Sequence, residues 1–167
     1  MNEAHAESVD QESRVSPDDH EALRIWLRLL TCTSMIEGAI RTELRRDFEC
    51  TLPRFDLMAQ LERHPEGLRM GELSRRLMVT GGNVTGITDQ LVKEGLVTRE
   101  APPDDRRAFV VKLTAAGRKA FQRMAELHEA WVVRLFDGLS AAERRQLHGL
   151  LGKLKTAVHR TVGEAEN

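Results

Sequence analysis

Apolar residues recur at helical spacing in two long stretches, one near each end of the chain. Between residues 18 and 47 they lie near the helical spacing of three to four positions, as on one face of an α-helix; they are Leu23, Trp26, Leu27, Leu30, Ile36, Ile40 and Leu44. Pro17 and the acids after it predict the helix start, because proline fits a first helical turn and acids face the positive end of the helix dipole. Near the other end, the pattern predicts a helix over 114–136 and another after Ser140, which forms a capping-box pattern with Glu143.

Shorter elements are predicted for the middle third of the chain. In order they are a helix over 54–63, an extended piece over 68–70, helices over 71–78 and 83–94, and alternating strands over 96–100 and 108–113. The segment between the two strands is rich in proline, aspartate and arginine, which predicts a β-hairpin with a charged tip. The long terminal helices offer more apolar surface than a small core needs, so we expect them to pack against a second copy of the chain.

Charge is distributed unevenly along the sequence. The formal net charge is −1, but residues 1–21 hold seven acids and one arginine, which leaves +5 for the remainder. A mildly basic body behind an acidic tail permits nucleic-acid binding without proving it. Because no apolar run approaches the ~20 residues of a membrane span and the polar N-terminus is unlike a signal peptide, we expect a cytoplasmic protein with no membrane partner.

The sequence lacks the motifs of catalytic and metal-binding sites. It has no glycine-rich phosphate loop, nucleophile elbow or metal-hydrolase motif, and its six histidines are scattered without ligand spacing. We therefore predict a protein that is not an enzyme and needs no cofactor or metal. Cys32 and Cys50 would lie roughly 27 Å apart on one helix, too far for a disulfide. Reduced thiols are the favoured interpretation, and a thiol redox sensor is the alternative.

The stretch from Gly71 to Gly95 predicts two short helices joined by a glycine-containing turn, the arrangement of a helix-turn-helix. On the second helix, Val84, Ile87 and Leu91 share one side and are expected to face the core. The opposite side, which includes Asp89, carries small and hydrogen-bonding residues that suit the major groove of DNA; an ordinary solvated face is the alternative. With two arginines of the preceding helix, the candidate DNA contacts here are Arg75, Arg76, Gly82, Asn83, Thr85, Gly86, Gln90 and Lys93.

The tip of the predicted hairpin carries a second DNA-binding signal. Arg106 and Arg107 follow a Pro-Asp turn and can reach a neighbouring minor groove, where the negative potential attracts arginine. A solvated turn is the alternative for this segment alone. A helix-turn-helix followed directly by an arginine-tipped wing rarely arises by chance, so the two features together predict DNA binding.

The run from Leu68 to Gly117 resembles the multiple-antibiotic-resistance regulator (MarR) family. The wing signature of that family, an Asp-x-Arg followed by a Val-x-Leu-Thr-x-x-Gly junction, is present as Asp105 with Arg107 and as the run 111–117. The order of elements over about 20–162 is similar too. The resemblance implies a two-fold dimer on a pseudo-palindromic operator, usually a repressor released by a small ligand, with Arg107 and the adjacent Arg106 at the minor groove.

The expected fold is mainly helical with a small β-hairpin wing, a winged helix-turn-helix that dimerises through its N- and C-terminal helices. We divide the chain into a disordered acidic tail over 1–16, an N-terminal dimerisation helix over 17–50, a DNA-binding lobe over 51–113 and C-terminal dimerisation helices over 114–163. A winged-helix adaptor that dimerises without binding DNA is the alternative from another functional class. It predicts no salt-sensitive affinity for DNA.

The resemblance further implies a pocket for a small, often aromatic, ligand between the dimerisation helices and the DNA-binding lobe. Its expected lining is apolar, from Trp26, Leu30, Met35, Phe55, Met58 and Trp131, with arginines at the mouth, namely Arg41, Arg45, Arg46 and Arg54. Core packing and surface ion pairs, such as Glu37 with Arg41, are the alternatives. The runs 51–63 and 77–85 are similar to regulators of hydroxycinnamate degradation that respond to p-coumaroyl- or feruloyl-coenzyme A. A free aromatic acid is the competing effector.

Overall fold

The structure is a computed structural model, and it describes residues 21–77, 84–101 and 109–165. Its elements are α1 (Glu21–Phe48), α2 (Leu52–Glu62), β1 (Leu68–Arg69), α3 (Met70–Arg76), α4 (Val84–Lys93), β2 (Val97–Glu100), β3 (Val110–Leu113), α5 (Ala115–Leu135) and α6 (Ala141–Ala165). Each predicted helix and strand is present, and the boundaries that fall within the described ranges shift by no more than two residues. The predicted tail over 1–16, the start of the first helix and residues 78–83 and 102–108 lie outside the described residues.

Two compact units divide the chain, Met1–Ala125 and Glu126–Asn167, and the boundary falls within α5. The core of the first unit is built around α2, which contacts α1, α3, α4 and β3. Five of the eleven α2 residues are buried, namely Leu52, Phe55, Leu57, Met58 and Leu61. Because Pro53 is accommodated in the first turn, the helix begins two residues earlier than the sequence pattern predicts. The Phe55 ring lies 5.4 Å from the ring of Phe121 on α5, measured between centroids.

The β-sheet is antiparallel, with the strand order β1-β3-β2. The predicted hairpin is present as β2 and β3, and β1 adds a third strand through the pairing of Leu68 with Val111. Gly67 precedes β1 with φ of +92°, and a Cβ atom there would lie 2.5 Å from Cγ1 of Val110. Only glycine therefore satisfies both the left-handed backbone and the close approach of β3 at this turn.

Helix caps confirm the local signals of the sequence. At the start of α6, the Ser140 N–H donates to the Glu143 carboxylate at 2.8 Å and the Glu143 N–H donates to the Ser140 hydroxyl at 3.3 Å. Both hydrogen bonds lower the pKa of Glu143, and the one with the Ser140 side chain has the larger effect. The predicted capping box is thus present. At α3 the carboxylate of Glu72 accepts the N–H of Arg69 at 3.1 Å, which satisfies one free donor of the helix start.

Apolar side chains remain exposed on the long helices of the chain. On α1 they are Leu23, Ile25, Trp26, Leu30 and Met35, and on α6 they are Leu150, Leu151, Leu154, Val158 and Val162. Within the described residues, no helix has a stretch long and apolar enough to cross a membrane.

Candidate nucleic-acid interface

The predicted recognition helix is α4, which is anchored on one side and open on the other. Leu91 is fully buried, whereas Thr85, Asp89, Gln90 and Lys93 are exposed. The small and polar residues expected at DNA are therefore available in this part of the helix, and Gly86 is half-buried. Gly82 and Asn83 lie outside the described residues, and the roles of all these positions stay predictions.

Thr88 is a core residue of α4 that the sequence pattern did not single out. It is fully buried. Its hydroxyl donates to the carbonyl oxygen of Val84 at 2.7 Å and lies 3.9 Å from the sulfur of Met70. Because the hydroxyl has a hydrogen-bond acceptor in its own helix, burial of this polar side chain costs little free energy of folding. Its position four residues after Val84 and three before Leu91 was the signal that it shares the apolar stripe.

The end of α4 is joined to the start of α5 by a dense set of short contacts. The Thr114 hydroxyl donates to the Gly95 carbonyl at 2.8 Å, and the Thr114 N–H donates to the Leu96 carbonyl at 3.1 Å. The same hydroxyl caps α5 by accepting the Gly117 N–H at 2.9 Å. Gly117 packs so closely that a Cβ atom would lie 1.9 Å from the Leu96 carbonyl oxygen. The Thr-x-x-Gly junction, Thr114 to Gly117, therefore holds the start of α5 against the turn that follows the recognition helix.

The wing strand β2 packs directly against the recognition helix, and β3 pairs with β2. Arg99 of β2 forms an ion pair with Asp89 of α4 at 3.2 Å, and Lys112 of β3 forms one with Glu100 of β2 at 3.3 Å. The wing-tip residues Arg106 and Arg107 lie outside the described residues. Their proposed minor-groove contacts therefore stay predictions.

The two predicted arginines of α3 are both exposed on its last turn. Arg75 donates to the Gly71 carbonyl at 3.4 Å. Arg76 lies 3.0 Å from Nε2 of His64, whose Nδ1 lies 3.2 Å from the Glu66 carboxylate. Because arginine only donates, Nε2 must accept and the ring proton of neutral His64 must sit on Nδ1, facing Glu66. The pKa of Glu66 is lowered mainly by the hydrogen bond from its own backbone N–H and, to a lesser extent, by the hydrogen bond with His64.

Comparison with known proteins decides the family. The sequence model of the MarR family matches residues 50–109. A crystal structure of a MarR family transcriptional regulator from Silicibacter pomeroyi is 33% identical in sequence, with a TM-score of 0.72 over 82% of this chain and 94% of that chain. The chain belongs to the MarR family.

Two further relatives of this MarR-family protein bear on its class. YkoM of Bacillus subtilis, named as an uncharacterized HTH-type transcriptional regulator, is 33% identical over 121 residues, which are 72% of this chain and 76% of that protein. Sco3205 of Streptomyces coelicolor, a MarR family regulator whose structure is in complex with DNA, is 24% identical with a TM-score of 0.71 over 85% of this chain and 91% of that chain, a likeness of fold. MarR regulators bind DNA and act as dimers.

Family membership confirms the predicted class and fold. The protein is a DNA-binding, HTH-type transcription regulator and not an enzyme. The winged helix-turn-helix prediction is confirmed as well. This result favours DNA binding over the adaptor alternative.

The apolar residues predicted to line a ligand pocket of the MarR-family regulator fall into two groups. Phe55 and Met58 are buried in the core of the first unit, and Trp131 is buried in the second. On α1, however, Trp26 is 57% exposed, and Leu30 and Met35 are also exposed. The structure therefore does not bring the α1 residues into a common apolar floor with Phe55 and Met58 inside one chain. A separate cleft of about 380 Å³, which sequence reasoning missed, is lined by Val132, Val133, Phe136, Asp137 and Arg144.

Three of the four predicted anion-binding arginines pair with carboxylates of the same chain. Arg41 lies 3.9 Å from Glu37, the pair anticipated from the sequence. Arg46 pairs with Glu43 and Asp47, and the hydrogen bond to Asp47 is the main cause of a raised Arg46 pKa. Arg54 pairs with Glu94. Arg45 is exposed on the last turn of α1. An anionic ligand at this cluster must therefore compete with internal carboxylates.

A polar cluster surrounds Arg54 near the start of α2. Nε of Arg54 and one carboxylate oxygen of Asp56 are buried without a hydrogen-bond partner among the described residues. Burial, with the neighbouring charge of Glu37, raises the pKa of Asp56 to about 6. Cys50 is buried, and burial is the main cause that raises the pKa of its thiol. Since the reactive form of cysteine is the thiolate, this environment disfavours a redox role for Cys50.

Proposed function

We propose that the protein is a dimeric repressor that places α4 in the major groove of each operator half-site and the β2–β3 wing in the flanking minor groove. The observation that carries the proposal is the exposed polar face of α4, on a helix held by buried Thr88 and Leu91 and by the α4–α5 junction. A rigidly held helix can present Thr85 and Gln90 to base edges at low entropic cost. The proposed half-site spacing is about one turn of DNA.

Dimerisation is supported by the apolar surface left on the terminal helices. Five large apolar side chains of α1 and five of α6 are exposed in the single chain. This is more exposed apolar surface than the scattered single residues that are normal on a monomer. The expected result of light scattering is a mass of about twice 18.9 kDa. A monomer at micromolar concentration would contradict the dimer.

Operator binding is tested by fluorescence anisotropy on a duplex from upstream of the protein's own gene, at several salt concentrations. We expect a steep log–log slope of affinity against salt, since several phosphates are neutralised. Replacing Gln90 or Arg107 by alanine should weaken operator binding about tenfold, the effect of losing one good contact. Arg63→Ala is the control, because Arg63 is an exposed arginine at the C-cap of α2, outside the proposed DNA interface and the proposed dimerisation helices. An Arg63 variant that loses as much affinity as the other two would refute the assigned interface.

The effector we propose is an aromatic acid or an aromatic acyl-coenzyme A, taken up at the arginine cluster of α1 and α2. The anionic group of this effector is matched by Arg54, which is partly buried and pairs with Glu94, directly after α4. A carboxylate or phosphate that takes the Nη2 donor of Arg54 displaces Glu94, so that ligand binding and the position of α4 are coupled. A ligand that favours the displaced state by a few kcal/mol lowers the population that is competent for DNA.

The two effector classes are separated by titrating p-coumaroyl-coenzyme A and free p-coumarate in parallel against the protein–DNA complex. Release by the thioester alone assigns an acyl-coenzyme A sensor, and release by the free acid alone assigns a smaller aromatic-acid site. In either case, Glu94→Gln should bind the effector more tightly, because Arg54 is freed from its carboxylate. Failure of both compounds to release DNA refutes the effector proposal and leaves DNA binding intact.

A further inference from the structure

Arg99 joins the recognition helix to the wing, although it was not among the residues expected to act in DNA binding. It lies on β2 opposite Val111 of β3. Its Nη1 atom is 3.2 Å from the Asp89 carboxylate of α4, and its guanidinium carbon lies 5.6 Å from the ring centroid of Phe109. One side chain therefore touches both the helix proposed for the major groove and the residue just before β3.

The same guanidinium also reaches the start of α3. Its Nη2 atom lies 3.8 Å from the sulfur of Met70, and the same sulfur lies 3.9 Å from the hydroxyl oxygen of Thr88. Met70 thus lies between α4 and the wing strand, and Arg99 closes a ring of contacts through α3, α4 and β2. An angular change between α4 and the wing has to break several of these contacts at once.

The chemistry of the site requires a guanidinium rather than any cation. Arginine is planar, so it can stack on an aromatic ring while its edge donates to a carboxylate. The Nε atom of Arg99 is buried without a hydrogen-bond partner in the described part of the chain, which opposes folding. The ion pair itself is partly exposed, at 27% for Arg99 and 50% for Asp89, so its contribution to folding is small. Fold stability alone does not account for this arrangement.

We propose that Arg99 is a positioning residue that fixes the angle between α4 and the wing, and thereby sets the preference for the operator over other DNA. The proposal rests on the proposed function, in which major- and minor-groove contacts form together. If the angle is not held, contacts in one groove form at the expense of contacts in the other, and sequence-specific affinity falls. Non-specific affinity depends mainly on phosphate charge and is less sensitive to that angle.

The test is a double-mutant cycle of Arg99→Met and Asp89→Ala, measured on the operator duplex and on a scrambled duplex of the same composition. Methionine retains the apolar length of arginine without its charge or donors. Each single variant should lower the ratio of operator to non-specific affinity about tenfold. The double variant should be no worse than the worse single variant, because both changes break one contact. Arg99→Lys should remain impaired, since lysine lacks the planar fork.

The salt dependence of operator binding separates positioning from direct contact. A positioning residue leaves the log–log slope unchanged, whereas loss of a phosphate contact reduces it by about one. Lys112→Met is the matched control, because Lys112 is a wing cation whose ion pair stays within the sheet, and its affinity ratio should equal that of the wild type. Urea unfolding of each variant should match the wild type; if Arg99→Met unfolds, Asp89→Ala and Arg99→Lys still decide the matter.

Three results would overturn the inference: an unchanged affinity ratio in Arg99→Met or Asp89→Ala, strictly additive losses in the double variant, or an equal loss in Lys112→Met. A reduced salt slope in Arg99→Met would make Arg99 a DNA contact instead. If the wild type itself shows no salt-dependent binding to either duplex, it is the proposed function that fails.

Discussion

Replacement of Gly117 by alanine tests the junction that holds the recognition helix to α5. The added Cβ would lie 1.9 Å from the carbonyl oxygen of Leu96 and 2.8 Å from its carbonyl carbon, whereas ordinary contacts begin near 3.4 Å. Both neighbours are backbone atoms, so no side-chain rotation can relieve the clash. The first turn of α5 and the turn after α4 must therefore separate by more than 1 Å.

The cost follows from the contacts that such a separation strains. Overpacking in a tight site costs about 1–3 kcal/mol, and each lost hydrogen bond adds about 1 kcal/mol. The bonds of Thr114 to the carbonyls of Gly95 and Leu96, at 2.8 and 3.1 Å, cross this junction. The higher helix propensity of alanine returns at most ~1 kcal/mol. We expect Gly117→Ala to lower the free energy of unfolding by about 3 kcal/mol.

Urea denaturation followed by circular dichroism measures this loss. All samples need the same protomer concentration, because the stability of a dimer depends on it. Gly71→Ala is the matched control: Gly71 is an exposed helical residue of the same unit, and a Cβ there would meet nothing within 4 Å. That variant should equal or slightly exceed the wild type in stability. A Gly117 variant within about 1 kcal/mol of Gly71→Ala would refute the close-packing argument.

Two further predictions concern the polar cluster at the start of α2. The pKa of Asp56 in the folded protein is about 6, above its ordinary value of 3.8. The folded state therefore binds the proton more tightly than the unfolded state does. As a result, the ionised carboxylate opposes folding above pH 6, whereas below pH 4 the group is protonated in both states and has no such effect. Asp56→Asn should therefore raise the free energy of unfolding by about 1–2 kcal/mol at pH 8, allowing for partial exposure, and by nothing at pH 4; an equal gain at both pH values in thermal melts would contradict this. For Cys50, we expect that Cys32→Ser protein shows no thiol reactive toward Ellman's reagent until urea unfolds it. Immediate reaction would restore the thiol-sensor alternative.

Short-range patterns were sufficient for much of this protein. Helical periodicity located the helices, and the Ser140–Glu143 cap and the Arg41–Glu37 pair followed from spacings of three and four residues. Such features depend only on the geometry of a single helix, in which residues three or four positions apart are neighbours, so they can be predicted from sequence spacing. The Asp-x-Arg and Thr-x-x-Gly motifs likewise carried the family resemblance, although the motifs themselves did not reveal what Gly117 touches.

What the tertiary structure alone decided are the contacts between residues far apart in the chain. Arg54 meets Glu94 forty positions away, and Arg99 meets Asp89 across two elements. Thr88, a polar residue, became part of the core because α4 packs against α3, where its hydroxyl lies 3.9 Å from the Met70 sulfur. Composition and periodicity determine which residues prefer a helix face or a strand, but not which faces meet. The packing of elements determines that, and it places the recognition helix, the wing and their linking residues in one lobe.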